Sequence, residues 1–280
     1  MAPRGENWRD RIRRWLTRAE RGSSRRRGSG RRAAAGQPPL AVADLLEATP
    51  GVRAARRTEG EWLLQWDAQP PARELGPALG AAIRAYTAEA VLPTSHGDLA
   101  LLAPAQPEEL LFFDLETLGF GNAGVFLIGW LTLSEDEVHV EQAFAEDYSQ
   151  EHSIIRLFAE RLARGRVLVS FNGKSFDFPL LTGRAGMWQV ELPSAGELDH
   201  VDVLYECRRR WSQVLPDCRL ETLERFVCRR RRTADVPGSE IPRVYHDFVE
   251  TGDARLVEPV LRHNVLDLVT LAEILLKCIE

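Results

Sequence analysis

Two carboxylates end one of the most apolar stretches of the chain, LLFFDLETLGFG at residues 110–121, in which Asp114 and Glu116 flank Leu115. Residues two apart in a β-strand project to the same face, so the two acids point together while Leu115 points into the core. Carboxylates held this close repel each other, and a hard cation such as Mg²⁺ relieves the conflict because it binds carboxylate oxygens. The pair indicates a metal site, and solvated acids at an exposed strand end are the alternative.

A third acid, Asp177, lies where a strand gives way to a helix, in SFNGKSFDFPLL at residues 170–181. The apolar strand stops at Asn172, and Asp177 precedes a Phe-Pro dipeptide whose proline favours the first turn of a helix. Functional sites in α/β sheets collect at such junctions. Asp177 is therefore a candidate site residue, and capping of the helix is the alternative.

The last helical segment, at residues 256–276, carries His263 and Asp267 four residues apart. This spacing places both side chains on one face, away from the apolar stripe of the helix. His263 can bond Asp267, or it can act as a general base beside a metal ion that Asp267 holds. An exposed helical pair without a functional role is the alternative.

Hydrophobic periodicity predicts the elements that carry these groups. Strands are expected at 110–116, 125–133, 137–145 and 166–173, with another beginning at 200–206; helices are expected at 149–165, over most of 207–230 and at 256–278. Three leading strands followed by alternating helices and strands predict a mixed α/β sheet with helices packed on it.

The region before residue 109 carries no recognisable chemistry. Residues 1–39 form a basic arm and linker, since residues 1–36 hold twelve arginines and three acids while the whole chain has a net charge of −5. The arm suits nucleic acid or a partner, or it is a solvated, disordered tail or a targeting segment. Residues 40–108 are an accessory region, with helix candidates at 41–48 and 77–89 and a strand candidate at 61–66.

Composition limits the remaining classes of protein. A hydrophobic content of 44% and a charged content of 28% are those of a globular protein with a packed core. No apolar window is long enough to cross a membrane, and no secretory signal is visible, so no membrane partner is expected. The four cysteines form no C-x-x-C pair, which favours free thiols and a cytoplasmic location.

Together the acids resemble a known set of motifs. Asp114-x-Glu116-Thr117, Asn172-x-x-x-Phe176-Asp177 and His263-x-x-x-Asp267 are similar to the three exonuclease motifs of the DEDD branch of the ribonuclease-H-like superfamily. Residues 109–280 resemble more closely the YprB-type ribonuclease-H-like family of predicted bacterial exonucleases, in FFDLETLGFG, FNGKSFDFPLL, VDVLYECRRRW and HNVLDLVTL. The resemblance implies a ribonuclease-H-like domain over 109–280, with a mixed five-stranded sheet flanked by helices.

The same resemblance implies a metal-dependent 3′→5′ exonuclease that hydrolyses phosphodiester bonds of single-stranded DNA or RNA. Two Mg²⁺ or Mn²⁺ ions would be held by four carboxylates, those of Asp114, Glu116, Asp177 and Asp267. His263 would accept the proton of the attacking water. Support of the site or contact with substrate would come from four further residues: Thr117, Asn172, Lys174 and Phe176.

The chain departs from the motifs at two places. Thr117 is followed by Leu118-Gly119 instead of glycine, and His263 lies four residues before Asp267, where the related enzymes have histidine five or tyrosine four residues before it. Arginine runs at 208–210 and 229–232 are candidates for contact with a phosphate backbone, or they are solvated helix faces. A structure-selective endonuclease and a nucleic-acid-binding module without activity remain alternatives.

Overall fold

The fold is described from a computed structural model of the chain. It describes residues 38–67, 72–89, 97–119, 123–135, 137–194, 196–232 and 235–280. The basic arm predicted at 1–39 lies outside these residues, apart from its last two positions. Of the helices in these ranges, none combines the length and apolar character that a membrane span requires.

A mixed sheet forms the centre of the fold, and its described strands run in the order β1-β2-β5-β4-β3-β6-β7. Neighbours are antiparallel except for β3 with β6 and β6 with β7, which are parallel. The strands are β1 (Val52–Arg56), β2 (Trp62–Trp66), β3 (Leu110–Thr117), β4 (Val125–Ser134), β5 (Glu137–Phe144), β6 (Val167–Ser170) and β7 (Asp199–Asp202). The predicted mixed five-stranded sheet is confirmed as β3 to β7, and the β1–β2 hairpin adds two strands beside β5.

Helices cover both faces of this sheet. They are α1 (Val42–Ala48), α2 (Ala72–Glu89), α3 (Glu151–Leu162), α4 (Asp177–Met187), α5 (Val203–Trp211), α6 (Leu220–Phe226), α7 (Ile241–Thr251) and α8 (Glu258–Ile279). Two apolar clusters result, and successive residues of β3 separate them: Phe113 belongs to the cluster under α3 and α7, and Phe112 to the cluster under α2 and α8. This alternation follows from the two-residue period of a strand.

Several predicted boundaries differ from the structure, among them the end of the strand expected at 166–173, which stops at Ser170. The strand expected over 200–206 ends at Asp202, because the Asp202 carboxylate accepts a hydrogen bond from the Leu204 backbone N–H at 3.1 Å and starts α5 as its N-cap. The helix expected from residue 77 begins at Ala72, so that Pro77 lies inside α2.

One feature of the sheet prepares a site beside β3. Strand β6 pairs only with residues 110–112 of β3 and ends at Ser170. Strand β4, on the other side, pairs with β3 as far as Thr117, with a bulge between Glu116 and Thr117. The second half of β3, which carries both of its acids, is therefore open on the β6 side.

Candidate active site

The acids of β3 are withdrawn from solvent rather than displayed at a free strand end. Glu116 is 9% exposed and Asp114 is partly buried. Oδ2 of Asp114 accepts a hydrogen bond from Nδ2 of Asn264 at 2.8 Å. The alternative of solvated acids therefore does not hold for this pair.

Asp177 is the first residue of α4, and a tight loop after β6 brings it to the open side of β3. Asn172 has a left-handed φ of 66°, and its backbone N–H donates to Oδ1 of the buried Asp202 at 2.7 Å. A Cβ on Gly173 would lie 2.4 Å from Ser170 Oγ and 3.5 Å from Asp177 Oδ2, so only glycine fits beside the carboxylate. The helix is not capped by Asp177, since Phe176 is the N-cap and makes no side-chain cap bond.

Helix α8 supplies the third part of the site. Nε2 of His263 lies 3.3 Å from Oδ2 of Asp267, and Nδ1 of His263 lies 2.8 Å from Oδ1 of Asp235. The side chains of these three residues are at most 18% exposed. They form a buried acid–histidine–acid arrangement, not an exposed helical pair.

The pKa values of the acids place them in one cluster. Burial raises the pKa of Asp114 well above its usual range, and the charges of Asp267, Glu116 and Asp177 raise it further. Burial, with Asp267 and Asp177 nearby, raises the pKa of Glu116 to about 8 despite the opposing charge of His263. Burial also raises the pKa of Asp177 to about 7, helped by Asp202 and Asp267. Acids from β3, α4 and α8 therefore act on one another.

Two internal cations balance part of this negative charge. The guanidinium of Arg232, 7% exposed, contacts Asp267, Asp235 at 3.2 Å and Glu224 at 2.6 Å. Burial disfavours the charged form of His263, but hydrogen bonds to Asp235 and Asp267 outweigh it and raise the His263 pKa to about 11. The metal-free cluster thus holds a protonated histidine and an arginine.

The donor set suits a hard divalent cation. It offers carboxylate oxygens, the ligands that Mg²⁺ and Mn²⁺ prefer, and the raised pKa values mean that these acids ionise readily only when positive charge is brought to them. In the described parts of the chain, no three acidic, histidine or cysteine groups already stand in a metal-binding arrangement. In this metal-free state, Arg232 and His263 contact the oxygens of Asp267.

The other predicted site residues take different positions around the cluster. The Thr117 hydroxyl donates to the Gly119 carbonyl at 3.0 Å. Lys174 is paired with Asp98 at 2.7 Å and lies over the ring of Tyr205. Phe176, next to Asp177, is 63% exposed. Of these residues, Phe176 has the side chain most accessible to a substrate.

Both arginine runs contain residues whose guanidinium groups are bonded within the protein. In the second run, Arg230 binds Glu224 at 2.9 Å and Glu273 at 2.7 Å, and Arg232 reaches Asp267. Arg229 and Arg231 are exposed between them. Contact of the whole run with a phosphate backbone is therefore excluded, and so is a fully solvated face.

In the first run, Arg209 and Arg210 both bind Glu206 one turn earlier on α5. Arg210 also donates to the Cys278 carbonyl near the end of α8. Arg210 thereby links α5 to α8, so this run too is partly structural.

Sequence reasoning missed four polar residues that shape the site: Asp202, Arg232 as an internal cation, Asp235 and Asn264. Asn264 offered a signal, because it is a polar residue three positions after Leu261 and four before Leu268, on the apolar stripe of the helix. Asp235 offered none, since a lone acid in a loop has no informative spacing.

Comparison with known proteins places the chain in a family. Residues 111–278 match the model of the RNase H superfamily. The chain belongs to the RNase H superfamily. It is 33% identical over 165 residues to the uncharacterized protein YprB of Bacillus subtilis (strain 168), which confirms the predicted YprB-type family. The alignment covers 58% of this chain and 40% of YprB, so the chain spans less than half of that relative.

Among solved structures, the chain is similar to the family B DNA polymerase of the hyperthermophilic archaeon Pyrobaculum calidifontis. The TM-score is 0.47 at 18% identity, over 58% of this chain and 23% of the polymerase. Membership of the RNase H superfamily identifies a nuclease fold, whose enzymes act on nucleic acids and generally use divalent metal ions.

Proposed function

We propose that the chain is a metal-dependent nuclease that removes nucleotides from the 3′ end of single-stranded DNA or RNA in the cytoplasm. The observation that carries this proposal is the cluster of four acids from three elements, Asp114 and Glu116 on β3, Asp177 on α4 and Asp267 on α8. Each of the first three has a pKa raised by burial and by other members of the cluster. Acids buried together in this way favour their protonated forms, and a bound cation would favour the ionised forms that bind metal.

In this proposal the four acids hold two Mg²⁺ or Mn²⁺ ions. When bound, such ions lower the pKa of a water and neutralise the charge that develops on the leaving oxygen. The Asp202-anchored loop from Asn172 to Asp177 fixes one ligand, and the bulged end of β3 fixes another pair.

His263 is the proton acceptor in this proposal. Asp235 accepts the Nδ1 proton and thereby directs Nε2 toward Asp267 and the cluster. The high pKa of His263 belongs to the metal-free cluster, where hydrogen bonds to Asp235 and Asp267 and the charges of Asp267 and Glu116 favour the protonated ring. Neutralising Asp267 and Glu116 with cations would lower the His263 pKa, while Asp235 keeps the ring oriented.

Accessible aromatic groups support a single-stranded substrate. Phe176 adjoins Asp177 and is exposed, and the exposed side chains of Tyr148 and Trp188 line a cavity of about 200 Å³ near the end of β3. Unpaired bases stack on aromatic side chains with little regard to sequence. Arg229 and Arg231, exposed three residues and one residue before the site-bound Arg232, supply positive charge for the phosphates.

The test is a time course of purified protein with Mn²⁺ or Mg²⁺ on single strands of DNA and RNA labelled at either end. Stepwise shortening from the 3′ end is expected. Asp114→Ala should lower the rate by about 100-fold or more, as loss of a charge-stabilising group does, and Asp44→Ala, at an exposed position of α1, should not. If Asp114→Ala matches the wild type, the site is wrong.

The same assay separates the alternatives. Cleavage of a circular single strand would identify an endonuclease that uses the same acids. Binding of oligonucleotides in EDTA, without turnover when metal is restored, would identify a nucleic-acid-binding module.

A further inference from the structure

A buried amide lies against the acid at the centre of the cluster, and the chemistry proposed above does not use it. Asn264 on α8 is 0% exposed. Its Nδ2 donates to Oδ2 of Asp114 at 2.8 Å and lies 3.4 Å from the carbonyl oxygen of the same residue. Asn264 thus holds one of the two carboxylate oxygens of Asp114.

The hydrogen bonds continue away from the cluster. Oδ1 of Asn264 accepts from Nε2 of Gln142 on β5 at 2.8 Å, and the same Nε2 donates to the Leu261 carbonyl at 2.9 Å. Oε1 of Gln142 accepts from the indole Nε1 of Trp66 on β2 at 2.8 Å. A continuous series of bonds therefore joins the β1–β2 hairpin to Asp114. We name Trp66, Gln142, Asn264 and Asp114 the amide relay.

Trp66 and the Leu261 carbonyl together fix the direction of the bonds in the amide relay. An indole N–H can only donate, so Gln142 must present its oxygen to Trp66 and its NH₂ group to Asn264. Asn264 must then accept with its oxygen and present its NH₂ group to Asp114. The relay consequently offers a donor to Asp114, which favours the ionised carboxylate and orients it.

The fold leaves space for this amide at one strand position. Gly129 on β4 pairs with Asp114 on β3. A Cβ on Gly129 would lie 1.9 Å from Oδ1 of Asn264, closer than any side chain could tolerate. The absence of a side chain at residue 129 is what allows the amide to reach across the sheet face.

We propose that Asn264 is a positioning residue of the metal site, and that Trp66 sets its orientation through Gln142. Asn264 holds Oδ2 of Asp114 and leaves Oδ1 for the cation. The β1–β2 hairpin thereby becomes part of the support of the site, although it lies three strands from β3. This inference rests on the proposed function, because it assumes that Asp114 binds a metal ion.

The test measures Mn²⁺ binding to the full chain by titration calorimetry, with oligonucleotide cleavage as a second readout. Asn264→Leu keeps much of the side-chain volume and cannot donate, so its Kd for Mn²⁺ should rise about 10- to 100-fold, as for other supports of metal ligands. Trp66→Phe removes one of the two groups that orient the Gln142 amide, leaving only the Leu261 carbonyl, and should raise the Kd by a smaller factor.

A matched control lies on the same strand. Trp62 also donates its indole N–H, but to Glu146 at 3.1 Å and outside the relay. Trp62→Phe should leave the Kd for Mn²⁺ unchanged. If Asn264→Leu fails to fold, the comparison of Trp66→Phe with Trp62→Phe still decides, and equal affinities in those two variants overturn the role of the relay.

The outcomes separate this inference from the proposed function. If the wild type binds no Mn²⁺, or binds it as well after Asp114→Ala, the metal site itself is refuted and the relay role with it. If Asp114→Ala abolishes binding while Asn264→Leu and Trp66→Phe bind as the wild type does, only the positioning role of Asn264 is wrong.

Discussion

Replacing Glu116 by glutamine should stabilise the metal-free protein, although it removes a residue proposed to bind metal. Burial and the neighbouring acids raise the Glu116 pKa from 4.5 to about 8. At pH 7 the folded wild type therefore holds this side chain mostly uncharged, as glutamine is, while the unfolded wild type ionises it freely. Ionisation of Glu116 favours the unfolded state of the wild type, and the glutamine variant has no such contribution.

The magnitude follows from the two pKa values. When the pKa of a group is higher in the folded state than in the unfolded state, the free energy of unfolding falls as pH rises from the unfolded to the folded pKa. For Glu116 this range runs from about 4.5 to about 8. Each pH unit within this window costs about 1.4 kcal/mol, or about 3 kcal/mol by pH 7. Below pH 4.5 the two proteins should be equally stable.

The assay is urea unfolding in EDTA from pH 4.5 to pH 8. The free energy of unfolding of Glu116→Gln should exceed that of the wild type by an amount that grows with pH and reaches about 3 kcal/mol at pH 7. Addition of Mg²⁺ should stabilise the wild type, by about 2.7 kcal/mol at a hundred times its Kd, and stabilise the variant less.

Glu151→Gln is the matched control, because the surroundings of Glu151 lower its pKa whereas those of Glu116 raise it. Although burial disfavours its charge, hydrogen bonds from Arg184, the Val125 N–H and Trp188 lower the Glu151 pKa. Neutralising it leaves Arg184 without its ionised partner and should destabilise the protein at pH 7. A Glu116→Gln protein that is less stable than the wild type in EDTA at pH 7 would refute the electrostatic account of the cluster.

Three further predictions test the surroundings of the site. Arg229→Gln combined with Arg231→Gln should reduce the slope of log K for binding of a single strand against log salt concentration by about 1.4, because two phosphate contacts are lost. Arg243→Gln, also at an exposed position, should leave the slope unchanged. If the double variant has the same slope as the wild type, the two arginines do not contact the strand. Phe176→Ala should weaken oligonucleotide binding by about 1–3 kcal/mol for one lost base stack without changing the urea midpoint, since the ring is 63% exposed. Burial lowers the His200 pKa from 6.5 to about 4, so the free energy of unfolding of the wild type should fall as pH decreases from 6.5 to 4. His200→Gln should lose less stability over this range, and the difference should grow by up to about 1.4 kcal/mol per pH unit. Parallel pH profiles of the two proteins in urea unfolding would contradict this.

Local patterns in the sequence predicted the elements and the family. The apolar runs that become β3 and β4, the alternation of β5 and the helical spacing of α8 depend on residues close together in the chain, so periodicity finds them. The order of the motifs around Asp114, Asp177 and Asp267 carried the resemblance; the comparisons confirm the family, and the structure confirms the mixed sheet. The metal-binding and catalytic roles stay predictions.

Only the tertiary structure decided which polar groups surround those acids. The bond from Asn264 to Asp114 joins residues 150 positions apart, and the bond from Trp66 to Gln142 spans 76 positions. Within the run 229–232, alternate side chains turn inward and outward, which four identical letters cannot reveal. A hydrogen bond or ion pair depends on the distance and direction between two atoms. Where the chain separates its partners so widely, packing of the sheet against α8 sets those quantities, and no local spacing records them.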